Sequence, residues 1–160
     1  MREKHLSKIS ILMVCFLSAL SAYTYAFDTE LAKKFYGMFS QMTPEVVAQK
    51  PCQITPARVL EMIKAREPFL FLDIRTPQET GIVGLTYPDT LRIPMNELFR
   101  EDNLGRLPKD RKIVVVCHSG TRAAPVAMAL KMLGFDAYLL KGGLPALARE
   151  AGTNVVELFK

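Results

Sequence analysis

Lys112-Ile113-Val114-Val115-Val116-Cys117-His118-Ser119-Gly120-Thr121-Arg122 decides how this chain is read. Five residues dominated by β-branched side chains predict a strand buried on both faces, since a strand with one wet face would alternate apolar with polar. The small and polar residues after Cys117 predict a tight loop. From about Arg122 to Leu133 the spacing predicts a helix, stopped by Gly134.

Working outward, Phe69-Leu70-Phe71-Leu72-Asp73 is a second buried strand, bounded upstream by Pro68. Thr90-Leu91-Arg92-Ile93 and Ala137 to Leu140 are weaker strands. Thr55 as N-cap with Pro56 behind it opens a helix to Arg66, with Val59, Leu60, Met62 and Ile63 as its apolar stripe. A helical turn is predicted at Met95 to Phe99, and a polar loop from Glu101 to Asp110. Strands alternating with helices across short connections predict an α/β fold: a small parallel sheet with helices on both faces. In such sheets chemistry sits where strands end and helices begin, which is residues 117 to 122.

The 160 residues are 49% hydrophobic and 23% charged, the composition of an ordinary globular chain with a core. Arg2, Lys4 and Lys8 followed by the apolar Ile9 to Ala22 and by Thr24-Tyr25-Ala26 read as a signal peptide over 1–26, cleaved after Ala26. The apolar run is shorter than the roughly 20 residues of a spanning helix, although retention as an anchor stays open. Export predicts a periplasmic or secreted protein, in a compartment that favours disulfides. Without those residues the formal charge falls from +5 to +3, with no basic run or aromatic–basic interleaving to suit a nucleic acid. Residues 27–54 divide into an amphipathic helix, Phe27 to Met42, and a linker, Thr43 to Thr55. The helix carries Leu31, Phe35, Met38 and Phe39 as a stripe that could serve a homodimer.

Cys117 stands where a loop can turn its N–H groups inward at a helix N-terminus, which makes an anion cradle. A thiolate there would be stabilised by the positive end of the helix and by the Arg122 guanidinium. Cys52 has three readings: a thiol that resolves a Cys117 intermediate, a partner in a regulatory disulfide, or an inert residue. No Cys/His cluster has ligand spacing, so neither a metal nor an organic cofactor is expected.

Cys117-His118-Ser119-Gly120-Thr121-Arg122-Ala123 resembles the active-site loop of single-domain rhodaneses. The resemblance extends to Leu72-Asp73-Ile74-Arg75 with Glu79, to Arg92-Ile93-Pro94 with Leu98, and to Leu140-Lys141-Gly142-Gly143, and so makes 55–160 a rhodanese-like domain. It implies a sulfurtransferase in which Cys117 takes a sulfane sulfur from thiosulfate or polysulfide and gives it to cyanide, a thiol or sulfide. His118, Ser119, Gly120, Thr121 and Arg122 would bind the substrate, with Asp73 and Arg75 in support. A carrier serving one docked protein acceptor, or a redox protein cycling Cys52 with Cys117, is also compatible with these residues. Arsenate reductases and dual-specificity phosphatases of the same family have five residues between Cys and Arg. Here there are four, a loop that fits one sulfur better than a phosphate. Two departures stand out: Leu147 replaces a common tryptophan, and Gly81-Ile82-Val83-Gly84-Leu85 replaces Gly-His-Ile-x-Gly-Ala, which changes the substrate-access surface.

Overall fold

The structure, a computed structural model, describes residues 27–158, with side chains to residue 152. The signal peptide expected over 1–26 lies outside the described residues. Two compact units are present, divided at Ser40.

The first contains helix α1, Thr29–Phe39, capped by the Asp28 carboxylate, which accepts from the Leu31 N–H at 2.9 Å. None of its side chains is buried.

The second unit runs α2 (Pro44–Ala48), β1 (Gln53–Ile54), α3 (Pro56–Lys64), β2 (Phe69–Asp73), α4 (Pro77–Ile82), β3 (Thr90–Arg92), α5 (Glu101–Leu104), β4 (Lys112–Val116), α6 (Ala123–Met132), β5 (Ala137–Leu140) and α7 (Gly143–Leu158). All strand pairs are parallel, in the order β1-β5-β4-β2-β3. The α/β reading of the sequence therefore holds, with the β-branched strand β4 at the centre.

Alternation along the strands divides the core in two. Leu70, Leu72, Ile113, Val115 and Cys117 share a cluster with Val126, Ala127 and Leu130 of α6. Phe69, Phe71, Val114 and Val116 face the other way, onto Val59 and Met62 of α3 and Leu144 and Leu147 of α7. Tyr87 stacks on Phe69 at 4.9 Å between centroids and meets Phe71 edge-on at 5.5 Å, anchoring the 83–88 loop to that layer.

Three local readings are corrected. The segment 43–55 is not all linker: Thr43 caps α2 by accepting from the Val46 N–H, and Gln53-Ile54 pairs with Leu139-Leu140 as an edge strand. Residues 95–99 form turns rather than a helix, and Glu101–Leu104, expected as loop, is helical with two acidic residues in its first turn. Helix α4 carries a capping box, in which the Thr76 hydroxyl accepts from the Glu79 N–H while the Glu79 carboxylate accepts from the Thr76 N–H. Helix α7 carries Leu144, Leu147 and Ala151 at helical spacing, with Pro145 in its first turn, where proline is tolerated.

Candidate active site

In this topology the chain leaves β2 toward one edge of the sheet and leaves β4 toward the other, so the carboxyl ends of these two neighbours bound a crevice. Cys117 follows β4, and Ile74 and Arg75 follow β2. The Ile74 N–H donates to the Val116 carbonyl at 3.0 Å, stitching the two ends together.

Cys117 is 1% exposed, and its Sγ accepts a hydrogen bond from the Gly120 N–H at 3.1 Å. That approach needs the loop to reverse within three residues, and Gly120 does so at φ +95°, with the Leu140 carbonyl oxygen 3.3 Å from where a Cβ would stand. Helix α6 begins just beyond, and Arg122 at its N-cap supplies no side-chain cap, leaving the positive helix end open to the sulfur loop. Ser119 and Thr121 are exposed, their hydroxyls 3.0 Å apart, and exposed His118 lines the mouth of the crevice.

Arg122 forks onto Glu79, with bonds of 2.9 and 2.5 Å. This pairing holds Arg122 above its ordinary range, chiefly through Glu79 and less through Cys117. The Arg122 hydrogen bonds are the first cause that lowers Glu79 from 4.5 to about 2, with its capping-box bond second. Arg122 is thus tied to the carboxylate of α4, with the Cys117 sulfur a lesser contributor to its electrostatics. Glu79, quoted from the sequence only as part of a motif, is the functional neighbour that residue-by-residue reasoning passed over; Thr76-x-x-Glu79 was the signal.

Asp73 and Arg75 form a second forked pair, at 2.9 and 2.6 Å, with both side chains almost fully buried. The Asp73 bond raises Arg75 above its usual range. The pair stands beside the crevice, with Arg75 in its wall.

Gly142 and Gly143 open α7 at φ +73° and +63°. A Cβ on Gly143 would overlap the His118 carbonyl oxygen and lie 2.6 Å from that of Cys117, while the next amide, Leu144 N–H, donates to the Cys117 carbonyl at 3.0 Å. The N-terminus of α7 is therefore seated directly on the cysteine loop. A pocket of about 320 Å³ opens beside it, walled by Arg75, Glu79, Ile82, Val83, His118 and Leu144 among others.

Cys52 is not brought to Cys117. Gln53 and Val115 both align with Leu139, so the two cysteines are three residues apart along the strand direction and two strands apart across it. At about 3.3 Å per residue and about 4.8 Å per strand the separation is on the order of 14 Å. A disulfide needs its Cα atoms within about 7 Å, and both thiols are free. The readings that join Cys52 to Cys117 within one chain would require the sheet to come apart.

Comparison with known proteins gives the same outline. The profile described as Rhodanese-like domain matches residues 55–150. The probable adenylyltransferase/sulfurtransferase MoeZ of Mycobacterium tuberculosis is 31% identical over 124 residues, 76% of this chain and 31% of that protein. This chain therefore spans about a third of that relative. A protein named sulfurtransferase from Allochromatium vinosum is 38% identical over 84 residues, 52% of this chain and 75% of that one. Among solved structures, a rhodanese-related protein from Thermoplasma volcanium superposes with TM-score 0.53 at 30% identity, covering 61% of this chain and 91% of its own. A rhodanese-like domain protein from Staphylococcus aureus also gives 0.53 at 30% identity, over 59% and 89%.

Proposed function

Because the chain belongs to the rhodanese-like domain family, we propose that it is a sulfurtransferase that carries a sulfane sulfur as a Cys117 persulfide. The observation that carries the reading is Cys117 Sγ at the end of the central strand, accepting the Gly120 N–H at the uncapped N-terminus of α6. A persulfide anion held there would meet fixed donors that need no rearrangement.

The cycle uses no proton relay and no cofactor. The Cys117 thiolate attacks the outer sulfur of thiosulfate or polysulfide, forming an S–S bond as sulfite, or a polysulfide one sulfur shorter, leaves with the electron pair. Cyanide, sulfide or a thiolate then attacks the outer sulfur of the persulfide, and the electron pair of the broken bond returns to Cys117 Sγ. Arg122 contributes a charge held in place by Glu79. Asp73 and Arg75 brace the wall of the crevice. The basic start and apolar run at 1–26 support export as part of the same proposal.

Steady-state thiocyanate formation from cyanide, with thiosulfate and with polysulfide as donor, tests it. Wild-type turnover that falls at least about 1,000-fold in Cys117→Ser is expected for a nucleophile with no substitute. Sulfur uptake by Cys117 without turnover would favour a carrier. Hydrolysis of aryl phosphates in place of thiocyanate formation would overturn the proposal.

A further inference from the structure

Four charged side chains meet beyond the carboxyl ends of β2 and β4, and they cancel in pairs. Asp73 accepts from the Arg75 guanidinium through both oxygens and takes the Arg75 backbone N–H as well, with both side chains almost fully buried. Glu79 accepts from Arg122 at 2.9 and 2.5 Å and from the Thr76 N–H at 3.0 Å. Here the carboxylate is 32% exposed and the guanidinium side chain 36%. Arg75 senses Glu79 and Arg122 in addition to Asp73, so the two forks form one electrostatic cluster.

The forks differ in what an incoming anion can do to them. The Asp73 fork is closed to solvent, and opening it would strand a buried charge. The Glu79 fork is open to solvent, and Glu79 is the one acid in the wall of the pocket beside His118 among the described residues. Arg122 is the cation of the cysteine loop, held above its ordinary range mainly by Glu79 and less by Cys117. A donor that brings negative charge to Cys117 therefore meets a guanidinium already neutralised. The Glu79 carboxylate competes with the donor for Arg122 and repels every further negative charge on its body.

Given the sulfur-transfer reading, on which the inference rests, we propose that Glu79 is a specificity-determining residue: by occupying Arg122 it selects singly charged sulfane donors over the thiosulfate dianion. In the loading step with a thiosulfonate, Cys117 Sγ forms a bond to the outer sulfur of R–SO₂–S⁻. The bond from that sulfur to the sulfonyl sulfur breaks, and the sulfinate R–SO₂⁻ leaves with the electron pair. Thiosulfate follows the same course with the sulfite dianion leaving, so the two donors differ by one charge and share a mechanism.

The test uses the full chain with excess cyanide and either sodium methanethiosulfonate or thiosulfate. Thiocyanate formation gives kcat/KM for each donor, which in a double-displacement cycle reports the loading half alone. The readout is the ratio of thiosulfate to methanethiosulfonate and its change in Glu79→Gln, which keeps an oxygen for the Thr76 N–H and drops the charge. That ratio should rise about tenfold, the order expected for one unit charge beside a partly exposed pair. Any unfolded fraction scales both constants alike, so the ratio reports the folded molecules, whereas a purely structural role for Glu79 would leave it unmoved. An unchanged ratio would overturn the assignment. So would a falling one, which would mean that thiosulfate needs the arginine as Glu79 positions it. The wild type gives a second reading with no substitution: at fixed ionic strength, unreactive methanesulfonate should inhibit loading more strongly than sulfate, and the reverse order would also overturn the assignment. Failure of the wild type to form thiocyanate from either donor would instead remove the sulfur-transfer reading itself.

Discussion

Gly143→Ala probes the contact that joins α7 to the cysteine loop. The backbone at φ +63° costs an L-residue about 1–2 kcal/mol. The added Cβ also runs into the His118 carbonyl, which is backbone and has no rotamer in which to escape, and overpacking of this kind costs about 1–3 kcal/mol. Together these give about 3 kcal/mol, or roughly 12 °C in Tm for a unit of about 120 residues at about 2.1 cal/mol/K per residue. The cheapest relaxation moves the 117–118 peptide away from α7, which stretches the Leu144 N–H to Cys117 carbonyl bond and displaces Sγ from Gly120. A displacement near 1 Å at a reacting atom lowers turnover by about 100-fold. Thermal melting by circular dichroism and thiocyanate formation on the same preparation read the two effects. A Tm within about 2 °C of wild type would refute the steric argument, because no other residue type should tolerate that backbone and that approach together.

Three further perturbations follow from the ion pairs and from Cys52. Asp73→Asn leaves the 4%-exposed Arg75 without its counter-charge and should cost about 3 kcal/mol, seen as a lower urea midpoint at unchanged slope. Glu79 is lowered from 4.5 to about 2, chiefly by Arg122, so the stability it adds is complete above about pH 4.5 and is lost as pH falls through 2. Discounted for exposure of the pair, Glu79→Gln should be less stable by about 1 kcal/mol at pH 7, and urea melts taken down to pH 2 should show the gap closing. Cys52→Ser should keep full sulfur transfer, and oxidised wild type should show no internal disulfide on non-reducing peptide mapping.

Much of this architecture was legible because burial imposes pattern. The Val-rich β4 and the apolar β2 are strands buried on both faces, and their sequences carry no polar alternation because neither face is wet. Thr55-Pro56 and Gly134 marked helix ends through capping chemistry that is local and therefore readable. The cysteine loop was legible for the same reason: a nucleophile, small residues and a cation are adjacent in sequence. What escaped was held in place by distant partners. Gln53-Ile54 is a strand only because Leu139-Leu140 supplies its hydrogen bonds, and two residues carry no periodicity. Helix α7 starts at Gly143 directly after Gly142, a poor helical start, and is fixed by its seat on Cys117 and His118. The Glu79–Arg122 fork joins residues 43 apart, a distance that no motif spacing reports.

The central claim is that Cys117 carries a transferable sulfur, and intact-mass spectrometry of the protein after thiosulfate or polysulfide reads that directly, beside Cys117→Ser. The account predicts a gain of one sulfur atom on the wild type alone, removed by cyanide as thiocyanate forms. No adduct on reduced, folded wild type, or the same adduct on Cys117→Ser, would contradict it.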